Sequence, residues 1–271
     1  MPTLLCPSDG NASNPGMING IARNNVVACV GDYLALNHNP GATETTVIGG
    51  TSRAAFSRTF DSTTTFSGHH PSDPAASPRW HFTPKGFGSI TDGLSNSMGL
   101  SEAVTASDAG KSTNPKEFVV HFGFNNTASP PYSRPPADCR DRALGAGGRL
   151  DQAAVDATMT NTFRGHVWVQ GMVGRVGFVA ALPPNSPSCT NRNNNPGTDL
   201  ALGNFTGWGA YSATSYHSGG VNTAMLDGSV RFVSDAVNCP NLDKTVLGAG
   251  TSPYGVWGAL GTINGGESVS L

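Results

Sequence analysis

Residues 221–233, Val-Asn-Thr-Ala-Met-Leu-Asp-Gly-Ser-Val-Arg-Phe-Val, constrain the fold more than any other segment. Polar and apolar side chains alternate on both sides of Asp227-Gly228, which is the pattern of a half-buried strand pair. Asp-Gly suits a two-residue type I′ turn, in which both central residues take positive φ. The segment is therefore expected to be an antiparallel hairpin turning at Asp227 and Gly228. In that register Leu226 faces Ser229, Met225 faces Val230 and Thr223 faces Phe232. Val221, Thr223, Met225, Val230 and Phe232 then share a face apolar enough for a core, and Asn222, Ala224, Ser229 and Arg231 share the other. A slip of one residue would scramble this division.

The rest of the chain is built in the same style. Of 271 residues, 35 are glycine and 19 proline, and only 13% are charged, against a usual ~25%. Many turns and little helix imply a mainly β (α+β) protein: an antiparallel sheet or sandwich with long loops and a few short helices. No internal repeat or linker divides the chain. A single domain over 1–271 is expected, with loop insertions near 34–88, 105–160 and 190–214. One helix is expected from Leu150 to Thr160. A second follows Ser252 as N-cap and Pro253 at N1, with Trp257 and Leu260 on one face and Gly261 as the C′ glycine. A net charge of -2 without basic clusters argues against nucleic-acid partners. No apolar run approaches the ~18 residues that span a membrane.

The five cysteines are Cys6, Cys29, Cys139, Cys189 and Cys239. None forms a C-x-x-C pair, so a zinc knuckle or a thioredoxin-like site is not expected. Scattered cysteines in a turn-rich chain suit disulfides and an oxidising compartment. Proximity pairs Cys6 with Cys29 and Cys139 with Cys189, although connectivity does not follow from sequence. The odd cysteine is either free or paired outside the chain. Met1 is not followed by a signal peptide, so the chain is cytosolic or its export segment lies outside the given sequence.

Catalytic motifs are lacking: there is no nucleophile elbow, P-loop or H-E-x-x-H set. His217 is open to reading as a metal ligand or base, but a loop histidine bonded to the Gly219-Gly220 turn explains it more simply. Asp227 and Asp92-Gly93 are turn residues first. Glu102 and Arg231 are a candidate pair joining two strands. Asp32, Asp92, Glu102 and Asp227 would make an oxygen-ligand calcium site, without EF-hand spacing to support it. No metal or other cofactor is therefore expected. His69-His70 reads as solvated loop. Trp168 and Trp257 are expected in the core, whereas Trp208, and less so Trp80, are candidates for stacking on sugars. Asn11, Asn125 and Asn204 open N-x-Ser/Thr sequons, which are possible glycosylation sites.

Several blocks together resemble a known family. His217, nine residues, then Asp227-Gly228, with Gly219, Gly220, Asn222 and Arg231 around them, matches a His-x9-Asp-Gly signature. Leu5-Cys6-Pro7-Ser8-Asp9 resembles an early Cys-Pro-Ser-Asp motif, and Ala28–Tyr33 the block after it. Ile90–Ser97, including Asp92, Gly93 and Asn96, resembles an Asp-Gly-x-Ser-Asn-Thr block, with Glu102 following. Leu182–Cys189 and Trp257–Glu267 resemble the later blocks. In this order they resemble the prepilin-type secreted proteins abundant in planctomycete bacteria, a domain of unknown function also catalogued as a solute-binding-protein family.

That resemblance implies an extracellular or cell-surface protein with a pilin-like globular part. Such members begin with a pilin-like leader and a long apolar helix, neither of which precedes the Cys-Pro-Ser-Asp block here; a sixth cysteine in such a segment would account for the odd count. It implies a non-enzymatic structural subunit that assembles with copies of itself into a pilus-like or other filament. Without the helix, assembly would need another contact, such as strand donation to a neighbour's sheet edge. The alternative is a surface module that binds a glycan or a small solute. An enzyme would need a cleft with converging titratable groups, sought first at His217, Asp227 and Glu102.

Overall fold

The computed structural model describes residues 4–10, 23–34, 53–56, 85–105, 114–117, 135–149, 151, 164–165, 173–191, 209–244, 250–267, 269 and 271, and the backbone of strands at 58–65, 78–82 and 119–122. Its strands are β1 (Val26–Cys29), β2 (Arg58–Thr65), β3 (Pro78–Phe82), β4 (Met98–Glu102), β5 (Val119–Phe122), β6 (Gly177–Phe178), β7 (Ser188–Asn191), β8 (Gly209–Ala210), β9 (Gly220–Met225) and β10 (Val230–Ser234). Short helices are α1 (Pro136–Ala143), α2 (Val173–Val176) and α3 (Gly255–Leu260). The protein is mainly β with short helices, as the turn-rich composition implies. The expected helix at 150–160, the sequons at Asn11, Asn125 and Asn204, His69-His70, Trp168 and Trp208 lie outside the described residues.

Among the described residues the largest sheet has five strands in the order β10-β9-β4-β1-β6. Its pairs are antiparallel except β1 with β6, which run parallel. Smaller sheets join β2 to β3 and β5 to β7 and β8. One face of the large sheet carries the core. Val27, Cys29, Met98, Val221, Met225 and Val233 are all buried there. Helix α3 covers them, with Trp257 stacked on Phe178 at 5.9 Å between ring centroids.

The hairpin forms, but one residue out of the expected register. Met225 N donates to Ser229 O at 2.8 Å, and Gly228 N donates to Met225 O at 3.0 Å. Gly228 takes φ +85, while Asp227 is not among the positive-φ residues. The connection is thus a three-residue loop, a type I turn closed by a left-handed glycine bulge. A type I′ turn would have required positive φ at Asp227 as well. Val230 pairs with Ala224, Arg231 with Thr223, Phe232 with Asn222 and Val233 with Val221. Because side chains alternate with period two, Val233 enters the core, and Val230 and Phe232 turn outward.

Two other local expectations change. Helix α3 begins two residues late, after Tyr254 and without a side-chain cap; Ser252 Oγ instead accepts from Tyr254 N at 3.4 Å. Gly261 is right-handed, at φ -77. Its lack of a side chain serves packing, since a Cβ there would stand 2.4 Å from the Ala180 methyl.

The cysteine pairing is half as expected. Cys139 on α1 and Cys189 on β7 form a disulfide, with Cα atoms 5.7 Å apart. Cys6 and Cys29 are free thiols, as is Cys239. The reason is strand geometry. Cys6 N donates to Asn25 Oδ1, which docks it four residues from Cys29 along the start of β1. At about 3.3 Å per residue that is roughly 13 Å, well beyond the ~7 Å limit on Cα separation for a bridge.

Candidate functional site

The outer face of the five-stranded sheet is where motif residues meet. Glu102, the last residue of β4, lies beside Asn222 on β9. Its Oε2 accepts from Asn222 N at 2.8 Å, and its Oε1 from Asn222 Nδ2 at 3.3 Å. His217 stands just before β9, and its Nδ1 lies 3.1 Å from Glu102 Oε2. Ser215 Oγ accepts from His217 N at 3.0 Å and lies 2.8 Å from its Nδ1. Imidazole and carboxylate are partly exposed, at 29% and 19%, so water reaches them.

The N-terminal segment brings a thiol to the same place. Asn25, buried just ahead of β1, uses all its polar atoms as a clamp. Its N donates to Leu4 O and its Oδ1 accepts from Cys6 N, each at 2.7 Å. Its Nδ2 donates to Asp9 Oδ2 and to Ala103 O. Asp9 Oδ2 also accepts from Thr105 N and Oγ1, at 2.8 and 2.9 Å. The Cys-Pro-Ser-Asp motif is thus a peg whose aspartate fastens it to the chain after β4. The fastening places Cys6 so that its Sγ, a Glu102 carboxylate oxygen and a His217 ring nitrogen all lie within 4.8 Å of one another. A small half-open cleft of about 10 Å³, room for about one water molecule, adjoins them, lined by Cys6, Asp9, Asn25, Glu102, Ser215 and Tyr216 among others. At its rim Tyr216 OH donates to Glu117 Oε1 at 2.6 Å, and burial beside that carboxylate pushes the phenol up.

Other sequence candidates lie elsewhere. His217 Nδ1 meets Ser215, Glu102 and Asn222 rather than the Gly219-Gly220 turn. Gly219 has φ +78. Gly220 leaves room for Phe232, whose ring would be 2.7 Å from a Cβ there. Arg231 does not pair with Glu102. It lies across from Thr223 on the opposite face, near Asp227, whose carboxyl Ser229 N and Oγ hold below its ordinary range. The four acids of the supposed calcium site are dispersed. Asp32 is buried against Arg53, and Asp227 is at the exposed hairpin tip. Asp92 accepts from Gly265 N and Gly266 N at 2.7 and 3.0 Å, tying the Asp-Gly block to the closing block. Gly93 takes φ +97, and Asn96 Nδ2 donates to Asp92 O. Trp257 is fully buried.

Two residues have surroundings that the sequence did not indicate. Cys6, expected as a disulfide partner, enters the cluster from far along the chain. Arg164 is fully buried and donates to the carbonyls of Gly174, Gly177 and Ser212, with its guanidinium 5.8 Å from the Tyr211 ring centre. Burial pushes it down to about 10, so it remains charged at neutral pH and cements three segments.

These features define a disulfide-bonded, loop-rich β protein in which Glu102, His217 and Asn222, of its motif residues, meet on one sheet face. The chain belongs to the family SBP_bac_10, described as protein of unknown function (DUF1559), whose model matches residues 1–239. No curated protein and no solved structure matches it.

Proposed function

We propose that the chain is a non-enzymatic extracellular structural subunit that associates with copies of itself through β10. The carrying observation is the outer face of that strand, where Val230 and Phe232 are 67% and 52% exposed. They continue inward across the sheet through Ala224 and Leu100, the latter 38% exposed. β10 ends the five-stranded sheet. A terminal strand with outward apolar side chains is a template for strand pairing, and proteins that must stay apart usually blunt such edges with charge or proline. A second copy fits it best. A two-fold antiparallel pairing centred on Arg231 sets Val230 of each copy opposite Phe232 of the other, and a net charge of -2 offers little overall repulsion. The opposite end of the sheet is less suited, since β6 is two residues long and Phe178 is fully buried.

A two-fold contact closes on itself, so growth into a filament uses a further surface. Export and a place among prepilin-type planctomycete proteins are supported by the ordered motif blocks and by the disulfide, which suits an oxidising compartment. Electron microscopy of the concentrated protein tests the reading: filaments or regular oligomers are expected, and dispersed monomers would remove it. A solute-binding module is the second reading, favoured by the family label. Calorimetry or a glycan array gives hits under that reading and none under the first.

A further inference from the structure

We infer that Cys6, Glu102 and His217 form a binding site for a zinc-like divalent transition-metal ion. The three offer a soft thiolate sulfur, a hard carboxylate oxygen and a borderline imidazole nitrogen, and the sulfur and nitrogen suit Zn²⁺ and its neighbours over calcium or magnesium. Their ligand atoms already lie within 4.8 Å of one another. In a tetrahedral zinc site with bonds of about 2.0–2.3 Å, neighbouring ligand atoms are about 3.3–3.7 Å apart. The side chains therefore need to close by at most about 1.5 Å, a shift within the reach of side-chain torsions.

The surroundings are those of a supported site. Asn25 and Asp9 hold the Cys6 backbone, and Asn222 orients the Glu102 carboxylate through two hydrogen bonds. Ser215 Oγ holds the His217 backbone by accepting from its N, and its contact with Nδ1, like those of Glu102 and Asn222, gives way where that nitrogen takes the ion. Such outer contacts orient metal ligands and tune their affinity. The three side chains come from separate segments: the N-terminal peg, the end of β4 and the loop before β9. A bound ion would staple them together. Cys6 and Glu102 also line the small half-open cleft, which has room for a water molecule as a fourth ligand.

Cobalt(II) titrated anaerobically into the chain with its Cys139–Cys189 disulfide intact is the probe. One equivalent is expected to saturate an intense visible absorption together with a near-ultraviolet thiolate-to-cobalt band, and zinc is expected to displace both. Cys6→Ser should abolish the near-ultraviolet band. Glu102→Gln and His217→Gln should each weaken binding by more than the about 10–100-fold that loss of an outer-shell partner costs, with circular dichroism reporting that the fold is kept. Cys239→Ser should leave the spectrum unchanged. The inference is overturned by the absence of a thiolate band in the wild-type chain, or by a band that survives in Cys6→Ser. Because Cys6 is a partly exposed free thiol, the serine variant decides the matter even where a His217 variant fails to fold.

Discussion

Met225 N donates to Ser229 O at 2.8 Å, and that bond decides which side chains of β10 meet water. With Met225 closed onto Ser229, the odd-numbered residues Arg231 and Val233 share the face of Thr223 and Val221, and Val233 is buried. Val230 and Phe232 are left outside. Had Met225 closed onto Val230, Phe232 would have entered the core and the sheet edge would have lost its apolar stripe.

The turn glycine should be sensitive to substitution. Gly228 sits at φ +85 with open space around it, so Gly228→Ala meets backbone strain without a clash. A loss of about 1–2 kcal/mol is expected, read as a lower midpoint in urea. A neutral result would mean that the loop takes another conformation.

Existence of the hairpin was legible in the alternation around Asp227-Gly228, and its register was not. Asp-Gly fits both a type I′ turn and a type I turn with a glycine bulge, and the choice depends on how Val221, Met225 and Val233 pack beneath α3. The site divides in the same way. His217, Asn222 and Glu102 stand in recognisable blocks, but nothing local shows that β4 and β9 adjoin and place His217 and Glu102, 115 residues apart, at 3.1 Å. Cys6 reads as a disulfide partner of Cys29 when distance is counted along the chain. Asn25, which holds it four residues away, gives no such signal.

The disulfide should matter strongly to stability. Cys139 and Cys189 are 50 residues apart in sequence, and closing a loop of that length stabilises by about 4 kcal/mol in the chain-entropy view. Cys139→Ala/Cys189→Ala should lower the unfolding free energy by a comparable amount in denaturant titrations. An unchanged midpoint would indicate that the bridge does not form.

The buried Asp32–Arg53 pair should behave as a unit. Its side chains are 0% and 4% exposed, and Arg53 Nε donates to Asp32 Oδ1 at 3.2 Å. Asp32→Ala leaves the arginine uncompensated and should cost about 3–5 kcal/mol. Asp32→Ala/Arg53→Met should lose less than the sum of the two single changes, as a double-mutant cycle of thermal or urea unfolding would show.

The free thiols should differ in reactivity. Burial pushes Cys29 and Cys239 up to about 12 from 9.0, which reduces the thiolate at a given neutral or mildly alkaline pH by about a thousandfold. Their alkylation should be slow in the native protein, rise as pH approaches 12, and become fast on unfolding. Mass spectrometry after brief iodoacetamide treatment should find Cys6 as the modified position, and rapid native labelling of Cys29 would contradict its burial.

The central claim is that copies associate through the outward side chains of β10. Sedimentation velocity across a concentration series, on the wild-type chain and on Val230→Lys/Phe232→Lys, tests it most directly. Both substitutions fall on exposed positions, so thermal unfolding of the variant should match the wild type. The account predicts that the wild-type chain grows in mass with concentration while the variant sediments as a monomer. A wild-type chain that stays monomeric, or a variant that assembles as well as the wild type, would contradict it.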